Sequence, residues 1–220
     1  MVENIFNKFI QHFPQAILET FYMAIVSTTV AFIIGLGLAV VLFMTSKNGL
    51  KPHPKIYQIL DIATNTLRSF PFIILIVAID PFTRLIAGSS IGTTAIIVPL
   101  TIGTAPFLAR LIEASFNEVD KGLIEAARSY GATDLQIVFR VVFIEALPSI
   151  VSNLTLTLIV VVGFSAMAGV VGGGGVGAVA INRGYNGFDD EILYIAVVVL
   201  LIIVQIFQSG GNFLYKLTKK

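Results

Sequence analysis

The sequence has no cysteine and no tryptophan, and only 12% of its residues are charged. Without cysteine there is no disulfide, no thiol nucleophile and no thiolate metal site. Without tryptophan, any aromatic belt at a membrane boundary must come from tyrosine and phenylalanine. The charge shortage excludes more. A soluble domain carries about 25% charged residues, and a mean hydropathy of +0.91 points the same way. A soluble protein of 220 residues could not assemble its polar surface from this composition. The net charge of +1 gives no footing for nucleic-acid binding. Nothing in the composition calls for a metal or a cofactor.

Long uncharged runs are abundant. A helix needs about 20 apolar residues to cross the hydrocarbon. Four runs qualify: 26 residues from Phe21, 25 from Leu85, 37 from Ala146 and 24 from Ile192. The third is too long for one span, and Gly172-Gly173-Gly174-Gly175 divides it. A fifth candidate reaches span length only by including Asp61 and Arg68, with Pro71 set to kink it or start a new segment. A charge at the membrane centre costs about 3 kcal/mol, so Arg68 should face protein or water. Asp61, two turns earlier on the same face, is its expected partner. The prediction is an all-α integral membrane protein with five transmembrane helices, residues 21–44, 56–79, 86–109, 149–171 and 192–210.

The N-terminus does not read as a cleaved signal, because Glu3, Lys8 and His12 interrupt it and no cleavage site follows. Ile5, Phe6, Phe9, Ile10 and Phe13 predict a short interfacial helix before Pro14. With five spans, ten Lys and Arg residues, from Lys47 to Lys220, fall on one side and Lys8, Arg84 and Arg183 on the other. Positive residues favour the cytoplasm. The expected orientation therefore has the N-terminus outside and the C-terminus cytoplasmic.

Residues 111–148 form the one long loop, and its polarity resembles that of a soluble protein. Asp120 is placed to cap a helix that Gly131 ends. Thr133 and Gln136 fit a capping box for a second helix. Physically this is a helix-turn-helix hairpin at the cytoplasmic surface. A hairpin that merely packs between spans fits those observations equally well.

Within it, Glu125-Ala126-Ala127-Arg128-Ser129-Tyr130-Gly131-Ala132 resembles the EAA-x-x-x-GA signature of permease subunits in bacterial ATP-binding-cassette importers. The resemblance implies that residues 111–148, between spans three and four, hold a coupling helix. Glu125, Ala126, Ala127 and Gly131 would dock it on a separate ATPase subunit. Small Ala126 and Ala127 let a helix seat closely, and Glu125 can pair with a basic residue across the interface. One position departs from the family pattern: Ile144 stands where proline is usual, and Leu147-Pro148 follows four residues later. Arg68-Ser69-Phe70-Pro71 resembles the R-S-x-P of amino-acid permeases. Ser165-Ala166-Met167-Ala168-Gly169 and the glycine run resemble the permease of methionine importers. That resemblance implies two copies of the chain, two ATPase subunits and an extracytoplasmic methionine-binding protein, in the bacterial cell membrane. It also implies that Met167, with Ser165 beside it, forms the translocation gate.

Blander readings stand beside these. A methionine in an apolar helix often only fills space. Ser165 and Ser152 could line a pore or bond back to their own helix. The glycine run is no phosphate loop, since no Gly-Lys-Ser/Thr follows, and it fits a close approach of helices. Asp189, Asp190 and Glu191 suit a solvated helix start or a docking surface. His12 and His53 fall on opposite sides, which leaves a membrane enzyme without a site. A self-sufficient carrier lacks visible repeats. A permease for another amino acid or small solute is the nearest alternative to methionine.

Overall fold

The computed structural model describes the backbone of residues 2–219 and the side chains of residues 5–219. Met1, which opens the N-terminal alternating segment, and Lys220, last of the ten cations assigned to one side, lie outside the described residues. Every regular element among the described residues is helical. Among the described residues, four helices are long and apolar enough to cross a membrane, and a fifth crossing exists if one bent pair is a single span.

The first helix, α1 (Val2–Thr45), has 44 residues. At about 1.5 Å per residue it is about 66 Å long, twice the roughly 30 Å hydrocarbon core. The interfacial helix predicted to stop before Pro14 is instead the start of α1, which continues through the proline. A mid-helix proline costs about 3 kcal/mol. Contacts on the N-terminal side of Pro14 offset it. Phe9 stacks on Phe13 at 5.6 Å, and Phe13 is fully buried. Lys8 reaches Asp189 at 2.7 Å and Glu191 at 2.8 Å.

Helix α2 (Pro54–Ser69) and α3 (Phe72–Ala78) meet at 105°. Pro71 bars the helical conformation at the residue before it, and Phe70 accordingly sits at φ −75°, ψ 128°. The expected Arg68–Asp61 pair does not form. Asp61 instead takes Arg110 at 2.8 Å. Arg110 comes from α5 (Thr93–Asn117), which lies across α2, so the nearer cation in space wins over the one on the same helix. Arg68 stays exposed at the bend. A short α4 (Asp80–Ala87) ends at Gly88, which adopts φ 75°.

Helix α5 packs most extensively on α1. A Cβ at Gly35 would stand 3.0 Å from the Ala105 carbonyl oxygen, so this glycine permits close approach. After α5 comes α6 (Lys121–Ser129), then α7 (Asp134–Ile137), a wide π turn over Val138–Val142 and α8 (Phe143–Ala168). The segment from Asp134 to Val171 is one helical rod of 38 residues. Pro148 lies inside it and does not end it. The carbonyl it leaves without a backbone donor is that of Ile144, four residues back. The departure from the family pattern at Ile144 and the shifted Leu147-Pro148 are therefore two ends of one missing hydrogen bond.

Beyond α8 the chain turns through the glycines into α9 (Gly175–Val179), a second π turn over Ala180–Tyr185, and α10 (Asp190–Thr218). The bundle holds two apolar cores. One, near the glycine turn, centres on Phe13, Met23, Ile96, Leu100 and Val161. The other, near α6, centres on Leu108, Ile112, Phe116, Ile137 and Val142. Between α5 and α8, Asn153 donates to Ser115 Oγ at 2.9 Å, and Ser115 and Ser149 share a hydrogen bond of the same length.

Candidate functional site

The residues singled out in the sequence fall at two places, joined by the rod from Asp134 to Val171. The first is α6 and its turn. The side chain of Asp120 caps α6, accepting the Gly122 N–H at 2.7 Å. At the other end the Ala132 N–H reaches the Ala127 carbonyl and the Gly131 N–H the Arg128 carbonyl. This is the Schellman pattern, and it needs a left-handed residue, which Gly131 supplies at φ 79°. Thr133 and Gln136 then exchange both bonds of a capping box. The local chemistry read from the sequence thus holds at both termini.

Packing orients α6. Ile124 and Ala127 lie against the nearby core, while Glu125, Ala126 and Ser129 are exposed. Tyr130 is 92% exposed. Beside this face lies a recess of about 560 Å³, walled by Asn48, Tyr57, Glu113, Lys121, Glu125 and Arg128 among others. Arg128 and Lys51 both approach Asp134, at 3.5 and 3.4 Å, and tie the hairpin to the loop after α1. Arg110, gripping Asp61 and Glu113 at 2.8 Å each, fastens α2 to α5 at the recess wall. Glu125 makes no ion pair among the described residues, so its charge is presented outward.

The second place is the far end of α8. Met167 is 49% exposed, whereas Ser165 is 2% exposed. Residues two apart on a helix do not face each other. The Ser165 hydroxyl donates to the Val162 carbonyl at 2.8 Å, the back-bonded fate, so the two residues share no surface within one chain. Ser152, by contrast, is exposed. Phe164 stacks on Phe72 of α3 at 4.3 Å, which braces this end of α8 against the bent pair.

The glycine turn shows why the run is needed. Gly172, Gly174 and Gly175 have φ of 84°, 78° and 76°. A Cβ at Gly177 would collide with the Ala166 backbone, so α9 lies directly on α8. The turn is clasped by α1: Glu19 accepts the Gly175 N–H at 2.8 Å and Thr20 the Val176 N–H at 2.9 Å. Sequence reasoning missed this clasp, because Glu19 and Thr20 lie 156 residues from their partners. The acidic cluster at 189–191 is likewise tied to α1. Asp189 caps α10 through the Ile192 N–H, and its bond to the Lys8 ammonium holds its carboxyl below the usual range.

The fold is a helical bundle with one bent helix pair and an exposed capped hairpin. The family described as the inner membrane component of binding-protein-dependent transport systems matches residues 42–217. The chain belongs to this family. Among its relatives is a Vibrio cholerae protein named a probable D-methionine transport system permease. It is 50% identical over 198 residues, 90% of this chain and 88% of the relative. The Bacillus subtilis methionine import system permease is 40% identical over 81% of each chain. A solved structure of the MetNI methionine ABC transporter, in an inward-facing conformation, superposes with a TM-score of 0.94. That chain is 42% identical, with 96% of this chain and 98% of that one covered. An amino acid ABC transporter at 21% identity and a TM-score of 0.77 shares the fold.

Proposed function

We propose that this chain is the membrane-spanning permease subunit of an ATP-driven methionine importer. Its relatives carry methionine in their names. It works as two copies, with two ATPase subunits on the cytoplasmic side and a methionine-binding protein outside. The chain itself hydrolyses nothing. The bent pair α2–α3 counts as one of five crossings, the N-terminus faces outward and the C-terminus the cytoplasm. This orientation follows the excess of Lys and Arg on one side.

The observation that carries the reading is the exposed hairpin. Glu125, Ala126 and Gly131 build its docking face, with Ala127 packed behind them against the core. The small Ala126 lets a partner groove close on α6, the Glu125 carboxylate supplies charge complementarity, and a left-handed glycine sets the return. Met167 is the gate, pressed from opposite copies across the route. Ser165, bonded back to Val162, is turned into the core and does not share the gate surface.

Glu125→Arg tests the docking face. Expected is a chain inserted at parental levels that no longer copurifies with the ATPase. Unchanged copurification and uptake refute the assignment. Uptake of labelled methionine in cells lacking other routes tests the solute. Excess unlabelled methionine should abolish it, and absence of competition points to another amino acid.

A further inference from the structure

On the side of α8 turned away from Met167, the bundle leaves a groove of about 470 Å³. Leu158, on its wall, stands nine residues from Met167. That is about two and a half helical turns, so the two point in opposite directions. Three helices build the groove. Helix α1 supplies Ile25 and Phe32, α8 supplies Leu154 and Leu158, and α10 supplies Phe207 and Leu214. No charged side chain lines it, and its only hydroxyls are those of threonines. Thr29 and Thr155 turn theirs back on the Ile25 and Val151 carbonyls, at 2.7 and 3.0 Å. Two glycines shape the floor. A Cβ at Gly211 would collide with Thr155, so α10 lies against α8 there. The Cβ position of Gly210 has no atom within 4 Å and opens on free space. Phe21 meets Phe207 at 5.1 Å and caps the end away from the hairpin.

Toward the hairpin the same side of the rod continues as an exposed strip. Counting back from Val151 by 4, 3 and 4 residues reaches Leu147, Ile144 and Arg140, a spacing that keeps one helical face. Ile144 and its neighbour Phe139 are half exposed. Arg140 is exposed and makes no ion pair among the described residues. Lys216 and Lys219, also exposed, end α10 at the same membrane face. The groove is therefore apolar along its length and cationic at its open end. From Arg140 to Thr155 is 15 residues, about 22 Å along the rod. One leaflet with its headgroups is about 20–22 Å deep. An occupant with an anionic head and a hydrocarbon tail of leaflet length matches both ends. An extended protein segment would bring backbone polar groups that this lining cannot satisfy, and an acyl chain brings none.

We propose that the groove between α1, α8 and α10 is a site for an anionic phospholipid, with one acyl chain lying over Gly210 and the phosphate held by Arg140. The site faces the bilayer because the second copy is met on the opposite side of α8, so the inference rests on reading Met167 as the gate between copies.

The absence of tryptophan supplies the probe. Single tryptophans, Ile25→Trp in the groove and Ile33→Trp outside it on α1, are placed in the permease. The permease is assembled with its ATPase and reconstituted in phosphatidylcholine vesicles, and the parent assembly gives the blank. Quenching is titrated with phosphatidylglycerol or phosphatidylcholine brominated on the acyl chains. One cation near the membrane surface favours anionic lipid by about fivefold. Ile25→Trp should thus be half-quenched at an about fivefold lower fraction of brominated phosphatidylglycerol than of brominated phosphatidylcholine, and Ile33→Trp at equal fractions. Arg140→Gln, at an exposed position, should remove the difference. Gly210→Phe, which fills the open space, should cut quenching of Ile25→Trp by either lipid and leave Ile33→Trp unchanged. Equal quenching of Ile25→Trp by the two lipids, or selectivity that survives Arg140→Gln, overturns the site. So does an Ile25→Trp that neither lipid quenches while Ile33→Trp responds, since protein then covers the groove. Disulfide formation between copies separates the two readings. A bridge through Met167→Cys leaves the gate standing whatever the lipids do, whereas a bridge through Thr29→Cys moves the contact between copies into the groove and removes both.

Discussion

Removing the Glu19 carboxylate tests how the glycine turn is held. Glu19 Oε2 accepts the Gly175 N–H at 2.8 Å in a partly buried setting. Its other oxygen accepts from Gln15 at 3.1 Å, so the carboxylate is oriented from its own helix. A hydrogen bond to a charged group contributes about 1.5–3 kcal/mol. Glu19→Ala leaves the Gly175 N–H without this partner. Because Gly174 and Gly175 hold positive φ, the turn gains little from relaxing toward ordinary backbone. The loss should therefore fall on local opening. At about 1.4 kcal/mol per factor of ten, protection of the Gly175 amide should drop by about 10- to 100-fold. Glu19→Gln keeps the shape with a neutral acceptor worth about 1 kcal/mol, so its loss should be smaller. Hydrogen exchange of the solubilised complex, read on peptides spanning residues 172–178, measures both. The Thr133–Gln136 capping box serves as an internal reference that neither variant touches. If Glu19→Ala leaves residues 172–178 as protected as in the parent, the clasp contributes nothing and the reasoning fails.

Two further outcomes follow from the ion pairs. Among the described residues Arg110 is the only cation that pairs with both Asp61 and Glu113, and the Glu113 side chain is 7% exposed. Arg110→Ala strands a buried carboxylate and should cost about 3–5 kcal/mol, read as a lower melting temperature, while Asp61→Ala, which leaves Arg110 on Glu113, should cost clearly less; equal losses would refute this ordering. At the other end, the carboxyl of Asp189 is held below its ordinary value by Lys8. A depressed carboxylate stabilises fully above its unfolded value and loses that contribution as pH falls through the folded one. Melting temperature should thus drop more steeply below about pH 4 in the parent than in Asp189→Asn, and parallel curves would contradict the latch.

The parts legible in the sequence were those set by neighbours along the chain. Asp120, Gly131, Thr133 and Gln136 act within one turn of their own helices, so spacing alone predicts the caps. Pro71 bends the chain between α2 and α3 because it constrains the residue beside it. What depended on contacts distant in sequence was hidden. Asp61 had a cation seven residues away, yet it bonds one 49 positions on. Pro14 carried a strong local stop signal, overridden by contacts that Phe13 and Lys8 make with the rest of the bundle. Met167 and Ser165 read as one motif because they are close in sequence. A helix turns about 200° between them, and that rotation puts one in the open and the other in the core. The docking role proposed for α6 came from resemblance, since helix chemistry explains the hairpin's shape and not what it meets.

The rod from Asp134 to Val171 has a mechanical consequence. At about 1.5 Å per residue its 38 residues span about 57 Å. Its base is the capping box of the hairpin, and its tip abuts the clasped glycine turn. A tilt of about 5° at the base swings the tip by about 5 Å, comparable to one helical turn. No chain of side-chain rearrangements is needed to carry that displacement. The wide turn at Val138–Val142, where the backbone ladder departs from the regular pattern, is a joint in the shaft close to its base. Stiffening or loosening that joint would change how much of a push at one membrane face arrives at the other.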